Sequence, residues 1–289
     1  MPDRDGYPPG VPCWVDTTQP DPDAAAAFYR DLFGWEVEDV MPSGADGKYF
    51  MGRIRGRDVA AVSSPMGDSP PLATWNTYVS VESADETVGK AREAGGRVLV
   101  EPSDVMDSGR MAVLADPEGA VFSVWEAKEH QGSRVVNEHG SVNFNVLNTR
   151  DVEGAKAFYG AVFGWETLDF GGSDGMWTLP GYGDHLEELT PGLRERNAEF
   201  GAPPGFEDVV ATLNPLGEDD ADTPAHWGVT FGVDDVDASA KQAGVLGAEI
   251  LLPPMDAPWV RLSVIRDPQG ATFVASQFVP ENRTLGDPG

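Results

Sequence analysis

Three side chains in this sequence could move a proton from a place on, or just beside, an alternating apolar run: Asp16, Tyr78 and His226. A carboxylate becomes a useful general base when burial lifts its pKa, and a phenol or an imidazole can give or take the proton in turn. Each also has a plainer reading. A strand carboxylate can pair structurally with Arg110 or Arg261, or anchor a cationic ligand, and structure is the default. His226 stands beside Trp227 just ahead of a strand, at a rim rather than in a core, which makes it the best placed histidine for acid–base work. His185 falls in a loop-like stretch, where a lone histidine is ordinarily solvated.

A second kind of chemistry is binding by flat rings. Alternate residues of a strand share a face, so Trp14 lies with Asp16 and Thr18, Asn76 with Tyr78, and Ser123 with Trp125. Later in the chain the matching faces hold Phe144, Val146 and Asn148, then Thr230, then Val274 and Ser276, with Trp177, Trp227 and Trp259 on nearby strands or loops. Aromatic walls with sparse polar groups suit a flat hydrophobic ligand. The competing reading is that these tryptophans fill a core. The sequence has no glycine-rich phosphate loop, no cysteine pair and no Ser-His-Asp spacing, and Gly171-Gly172 reads as a turn.

What must position these residues is a duplicated unit. Ala27-Phe-Tyr-Arg-Asp-Leu-Phe-Gly-Trp-Glu36 returns as Ala157-Phe-Tyr-Gly-Ala-Val-Phe-Gly-Trp-Glu166. Each copy follows an alternating run and an acidic cap (Asp21 with Pro22, or Asp151) and ends at Gly34 or Gly164, which predicts strand, capped helix, strand. Short alternating runs near 35–40, 48–55 and 59–64 complete a βαβββ unit. A second unit begins at Asn76, with a helix near 84–94 and strands near 98–105, 109–114 and 120–126. Asp116-Pro-Glu-Gly is answered by Asp267-Pro-Gln-Gly. Landmark offsets of 130 and then 152 residues give the second half 22 extra, assigned to a helical insertion near 184–205 that reads equally as a lid or an ornament.

The resulting division is a loose arm at 1–10, a first domain at 11–127, a surface linker at 128–140, a second domain at 141–279 and a tail at 280–289. Each half is long enough to bury its own core. Acidic residues outnumber basic ones by 48 to 20, a formal charge of −28, which argues against nucleic acid and permits a cationic ligand. Cys13 is the only cysteine, so no intrachain disulfide is expected. No apolar run reaches the roughly 18–20 residues of a membrane span, and no apolar segment follows Met1-Pro2-Asp3-Arg4-Asp5, so the expectation is a cytoplasmic protein without a membrane partner.

Four βαβββ units, paired Ala-Phe-Tyr…Phe-Gly-Trp helices and two Asp-Pro-x-Gly turns resemble the vicinal oxygen chelate superfamily of glyoxalases, bleomycin-resistance proteins and extradiol dioxygenases. The tandem arrangement and the Pro12-Cys-Trp-Val-Asp16 opening resemble its two-domain actinobacterial members labelled glyoxalase-like or hydroxylase. The resemblance implies an α+β fold of two tandem domains, each pairing its βαβββ units into a cupped, incomplete β-barrel. It also implies, in the enzymes, a divalent metal held by His or Gln, His and Glu. Those six places fall here on Trp14, Asn76 and Ser123, and on Phe144, Gly228 and Val274, a set without a histidine or a carboxylate.

The expectation is therefore a protein without metal or other cofactor that binds an aromatic, and by its charge even a cationic, natural product or drug-like metabolite, for sequestration, self-resistance to an antibiotic or an accessory role in a biosynthetic pathway. The binding set would be Trp14, Asp16, Asn76, Tyr78, Ser123, Trp125, Phe144, Trp177, His226, Trp227 and Trp259. The alternative is a glyoxalase-like enzyme, a lyase, isomerase or oxygenase/hydroxylase, acting on a small aromatic or carbonyl substrate through Asp16, Tyr78 and His226. A monomer whose two domains pack as an intramolecular pseudo-dimer is expected.

Overall fold

The two repeated helices form where the caps predict. In α1 (Pro22–Phe33) the Asp21 carboxylate accepts from Ala24 N at 3.0 Å, and in α3 (Val152–Phe163) Asp151 accepts from Gly154 N at 2.9 Å. Both end on a left-handed glycine, Gly34 at φ 72° and Gly164 at φ 73°. The computed structural model describes residues 3–65, 72–169, 175–220 and 222–285; the Gly171-Gly172 turn and residues 286–289 of the tail lie outside them.

Around these helices the chain lays down four βαβββ units. The first is β1 (Pro12–Thr18), α1, β2 (Glu36–Asp39), β3 (Tyr49–Ile54) and β4 (Arg57–Ser63); the second is β5 (Thr74–Ser80), α2 (Ala84–Glu93), β6 (Arg97–Val105), β7 (Gly109–Ala115) and β8 (Val121–Ala127). The third is β9 (Val142–Thr149), α3, β10 (Glu166–Asp169), β11 (Gly175–Thr178) and β12 (Val209–Pro215), and the fourth is β13 (His226–Gly232), α6 (Val236–Val245), β14 (Glu249–Ala257), β15 (Val260–Arg266) and β16 (Thr272–Phe278). Units pair through their first strands into two eight-stranded open sheets, ordered β2-β3-β4-β1-β5-β8-β7-β6 and β10-β11-β12-β9-β13-β16-β15-β14. The fold is the expected pair of cupped α+β domains.

The insertion holds two helices, α4 (Tyr182–Leu189) and α5 (Leu193–Phe200), and it starts slightly earlier than residue 184. Thr190, ahead of Pro191, does not cap α5 with its side chain. Gly192 takes that place, and Glu187 of α4 supplies the acceptor for Gly192 N at 2.6 Å and Arg194 N at 3.0 Å. The arm is not loose either. Arg4 N donates to Arg134 O at 2.9 Å, Gly10 N to Ser80 O at 2.7 Å, and the Tyr7 hydroxyl to Ser133 O at 2.6 Å.

Nor does each half bury its own core. The cores are shared across the repeat, because the convex face of each sheet is covered partly by the other half's helix. Phe158, Tyr159, Val162 and Trp165 of the second half pack with Val79, Val88, Phe122 and Val124 of the first. Phe28, Tyr29 and Phe33 pack reciprocally with Phe231, Val236, Phe273 and Ala275. Trp35 Nε1 donates to Gly140 O and Trp165 Nε1 to Gly10 O, both at 2.7 Å. These two acceptor glycines have positive φ, 73° and 87°, and a β-carbon would press on Phe33 from Gly140 and on Leu179 and the Phe163 carbonyl from Gly10.

At the centre of each shared core is one polar clasp. The Tyr159 hydroxyl donates to Asp116 Oδ2 at 3.0 Å and accepts from Trp227 Nε1 at 2.9 Å; Tyr29 does the same with Asp267 Oδ2 at 2.8 Å and Trp75 Nε1 at 3.2 Å. Tyr29→Phe or Tyr159→Phe strips a partner from a buried carboxylate and from a buried indole N–H, for an expected loss of about 1–3 kcal/mol each. Because the cores are shared, calorimetry should find one transition for the whole chain in both variants; two separable transitions would contradict the shared-core account.

Candidate functional site

In the first sheet, β1, β5 and β8 bring the expected residues together on the concave face. Trp14 lies opposite Tyr78, Tyr78 opposite Ser123, and Asp16 opposite Asn76. Asp16 is 3% exposed. Its Oδ2 accepts the hydroxyls of Tyr78 at 2.9 Å and Tyr49 at 3.2 Å, and its Oδ1 accepts Asn76 Nδ2 at 2.8 Å. Trp14 Nε1 donates to the same Tyr49 hydroxyl at 3.0 Å. Tyr49 comes from β3, a strand whose side the local pattern did not single out.

Arg110 and Arg261 are not the partners of Asp16. Arg110 pairs with Asp85 and Asp104, and Arg261 with Asp237 and Asp256, each from a strand end to the neighbouring helix and hairpin. Among the described residues, Asp16 is held by neutral donors alone. Burial pushes its carboxyl above the ordinary range, while the donors Asn76, Tyr78 and Tyr49 pull it partway back. The same burial, with Asp16 alongside, drives both tyrosines well above theirs, so they remain donors.

The cup is also full. Trp14, Trp125 and Tyr78 are 4%, 6% and 9% exposed and pack with Met51 and Ala61, so little of their rings is left for a ligand to stack on. The linker completes the closure, contrary to its reading as a mere surface connection. His130 sits edge-on to Trp14 at 4.4 Å between ring centroids, and its carbonyl accepts Trp125 Nε1 at 2.8 Å. Burial holds the His130 imidazole below its usual pKa, with Asp58 at 3.9 Å opposing.

The second sheet repeats the geometry with smaller side chains. Phe144 lies opposite Thr230, Thr230 opposite Val274, and Val146 opposite Gly228. In register, Trp14 becomes Phe144, Asp16 becomes Val146, Asn76 becomes Gly228, Tyr78 becomes Thr230, Ser123 becomes Val274 and Trp125 becomes Ser276. This face is open: Phe144, Val146, Asn148, Val274, Leu262 and Val264 are all half-buried. Its polar groups are amides and hydroxyls, with Asn214 Nδ2 donating to Asn148 Oδ1 at 2.7 Å.

Trp177 and Trp227 do not face this cup. Strand alternation sends both to the convex side, where Trp177 is 0% exposed beside Trp165, and Trp227 serves the Tyr159 clasp. His226 is exposed at the rim opposite Asn148, its Nδ1 at 2.9 Å from Pro224 O. It therefore lies on a different sheet from Asp16 and Tyr78, and the three do not form one acid–base set. Trp259 turns the β14–β15 hairpin at φ 68°, sparsely allowed for a bulky side chain, and stacks on Phe278 with ring centroids 6.4 Å apart. Phe200 at the end of α5 meets Phe278 edge-on at 6.0 Å between ring centroids, so the insertion reaches across to the fourth unit and walls one end of the cup.

The donor set does not fit a divalent metal at either cup. The six superfamily ligand places hold an indole, an amide, a hydroxyl, a phenyl, a glycine and an isopropyl group. Among the described residues no group of three or more His, Cys, Asp or Glu side chains is placed to hold an ion. No helix there is long and apolar enough to cross a membrane.

Asp16 also generates a pH test. With its pKa raised in the folded state, it favours folding below the unfolded value of about 3.9 and loses that contribution as pH rises through the folded value. Asp16→Asn keeps the site neutral. Denaturation midpoints of the variant relative to wild type should move in the variant's favour as pH rises above about 4; a gap that stays flat would mean that Asp16 titrates as an ordinary carboxylate.

Comparison with known proteins agrees with this architecture. The family model for the Glyoxalase/Bleomycin resistance protein/Dioxygenase superfamily matches residues 14–124 and 141–274. The chain is 35% identical over 287 residues to "Putative glyoxylase CFP32" of Mycobacterium tuberculosis, covering 97% of this chain and 100% of that protein. It is 35% identical over 283 residues to "Anthracycline biosynthesis protein DnrV" of Streptomyces peucetius, covering 92% and 93%. Among solved structures, the Mn(II)-bound glyoxalase of Novosphingobium aromaticivorans superposes with a TM-score of 0.59 at 17% identity, covering 93% of this chain and 82% of that one. The 2,3-dioxygenase LapB of Pseudomonas sp. KL28 gives 0.59 at 10% identity, covering 92% and 91%. A duplicated βαβββ architecture with the family's match across both halves makes this chain a member of the Glyoxalase/Bleomycin resistance protein/Dioxygenase superfamily.

Proposed function

We propose that this chain is a binding protein for a planar aromatic molecule, seated in the second cup and held without a protein-bound metal. The observation that carries the reading is the side-by-side contrast of the two cups. Identical backbone registers hold Trp14, Tyr78 and Trp125 in one cup and Phe144, Thr230 and Ser276 in the other, so the second face is left open and apolar. A flat ring system laid on Phe144, Val146 and Val274 would bury apolar surface at about 25 cal/mol per Å², and each aromatic contact would add about 0.5–1.5 kcal/mol. The half-buried Asn148–Asn214 pair supplies neutral hydrogen-bonding groups for oxygen substituents.

The name of the streptomycete relative supports the same ligand class, since anthracyclines are planar fused-ring molecules, and it favours an accessory role in biosynthesis or sequestration of the product. The enzymatic alternative needs Asp16, Tyr78 and His226 at one site, and they lie on two sheets. The acidic surface would draw a cationic ligand at long range, an attraction that added salt weakens, whereas contacts inside the cup persist.

Gly228 offers a direct test, because a β-carbon there meets only ordinary contacts, the nearest with Asn148 Nδ2 at 3.5 Å. Gly228→Phe should fill the cup without disturbing the fold. Titrating planar anthraquinones or phenazines against tryptophan fluorescence should give binding to wild type that the variant weakens at least about tenfold, a change of about 1.4 kcal/mol. Affinity should be unchanged after chelator treatment. Equal affinity for both proteins, or binding that needs stoichiometric Fe, Mn, Ni or Zn, would sink the proposal.

A further inference from the structure

Arg4 carries a charge that nothing in the fold accounts for. It is 4% exposed, and its Nη1 has no hydrogen-bond partner among the described residues. Acidic residues outnumber basic ones by 48 to 20 in this chain, yet Arg4 makes no ion pair with any carboxylate among the described residues. The one carboxylate that lines the same cavity as Arg4, Glu207, is taken by Arg194 at 3.0 Å, and the groups against Arg4 itself are neutral or cationic. Its backbone N–H is tied to Arg134 O at 2.9 Å, its guanidinium carbon lies 5.9 Å from the centre of the Tyr7 ring, and the Tyr182 hydroxyl stands against it. Burial pushes the Tyr182 phenol up, with Arg4 countering part of that rise, so the phenol stays neutral and does not serve as counter-charge.

Arg4 lines a cavity of about 170 Å³ where the N-terminal arm, the start of β9 and the insertion meet. Tyr7, Phe144, Tyr182 and Phe206 give it aromatic walls, and Asn143 adds an amide. A guanidinium buried without a counter-charge is strongly destabilising, and it is the side chain best shaped to grip a carboxylate with two parallel hydrogen bonds. A cavity of about 150 Å³ is known to hold one benzene ring, so this one accepts a single ring with a small substituent.

We propose that this cavity is a second, anion-selective site, which binds an aromatic carboxylate of one ring with its carboxylate on Arg4 and its ring against Phe144 and Tyr182. It goes beyond the cup reading, although Phe144 borders both places. The carboxylate can belong to a free single-ring acid or to the acidic end of a larger planar molecule lying in the cup. In an acidic protein the site would act as a local exception, taking anions that the surface at large repels.

Benzoate is the probe, with benzamide as its neutral counterpart, titrated calorimetrically into the full chain. Wild type should bind benzoate at least tenfold more tightly than benzamide, and Arg4→Met should erase that preference. Should Arg4→Met fail to fold, Arg4→Lys decides: it keeps the charge but loses the two-pronged grip, so benzoate affinity should fall while benzoate still binds better than benzamide. Repeating the benzoate titration in Gly228→Phe separates this site from the cup, since benzoate binding should survive there. Retained benzoate affinity in Gly228→Phe together with lost affinity for an acid-bearing polycycle assigns the carboxylate to the larger molecule, and retention of both assigns it to the free acid. Equal binding of benzoate and benzamide by wild type, or benzoate affinity untouched by both Arg4 variants, would overturn the proposal.

Discussion

Two buried carboxylates hold the halves of this molecule to one another. Asp116 and Asp267 are 1% and 4% exposed, and each closes its own Asp-Pro-x-Gly turn with one oxygen while giving the other to a tyrosine from the opposite half. A buried carboxylate is tolerated only when its hydrogen-bonding capacity is met. The last strand of each half therefore starts from a turn that is fully satisfied only when the other half's helix is in place. Duplication within one chain supplies that helix at fixed proximity, and both hydrophobic cores grow around the clasp.

With the convex faces committed to this mutual packing, the concave faces were left free to differ. The first has become a second core, in which Asp16 is kept by Tyr49, Tyr78 and Asn76 and sealed by His130 from the linker. The second has smaller side chains at four of the six equivalent positions and a helical wall at one end. Equal backbones with unequal side chains place a filled scaffold beside an open one.

Membership of a family rich in metal enzymes does not carry their chemistry over. The solved structures at 10–17% identity share the fold alone with this chain, and the residues at the six ligand places here lack the imidazoles and carboxylates that hold an ion. Exposed pairs such as Arg110–Asp85 and Arg261–Asp237 recur at matching places in both halves, but pairs of that exposure add little stability; they record the duplication more than they sustain it.

Local sequence was enough for the repeated units, because caps at Asp21 and Asp151, left-handed glycines at Gly34 and Gly164 and period-two runs each act within a few residues. It also placed Trp14, Asp16, Asn76, Tyr78 and Ser123 on one face, since alternation is a local rule. It did not tell which aromatic residues remain accessible. Both faces of these sheets are apolar, one under helices and one in a cup, so alternation sorts side chains into two sets without saying which set is buried beneath a helix from the other half. Trp177 and Trp227 went to the convex side for that reason. Tyr49 reaches Asp16 through the β3–β4–β1 pairing, His130 closes the first cup from a linker with no periodicity, and Arg4 is buried by an arm that reads as loose. Each of these depends on contacts between segments far apart in the chain, and hydrogen-bond register and the packing of the two halves, which no local pattern encodes, decided them.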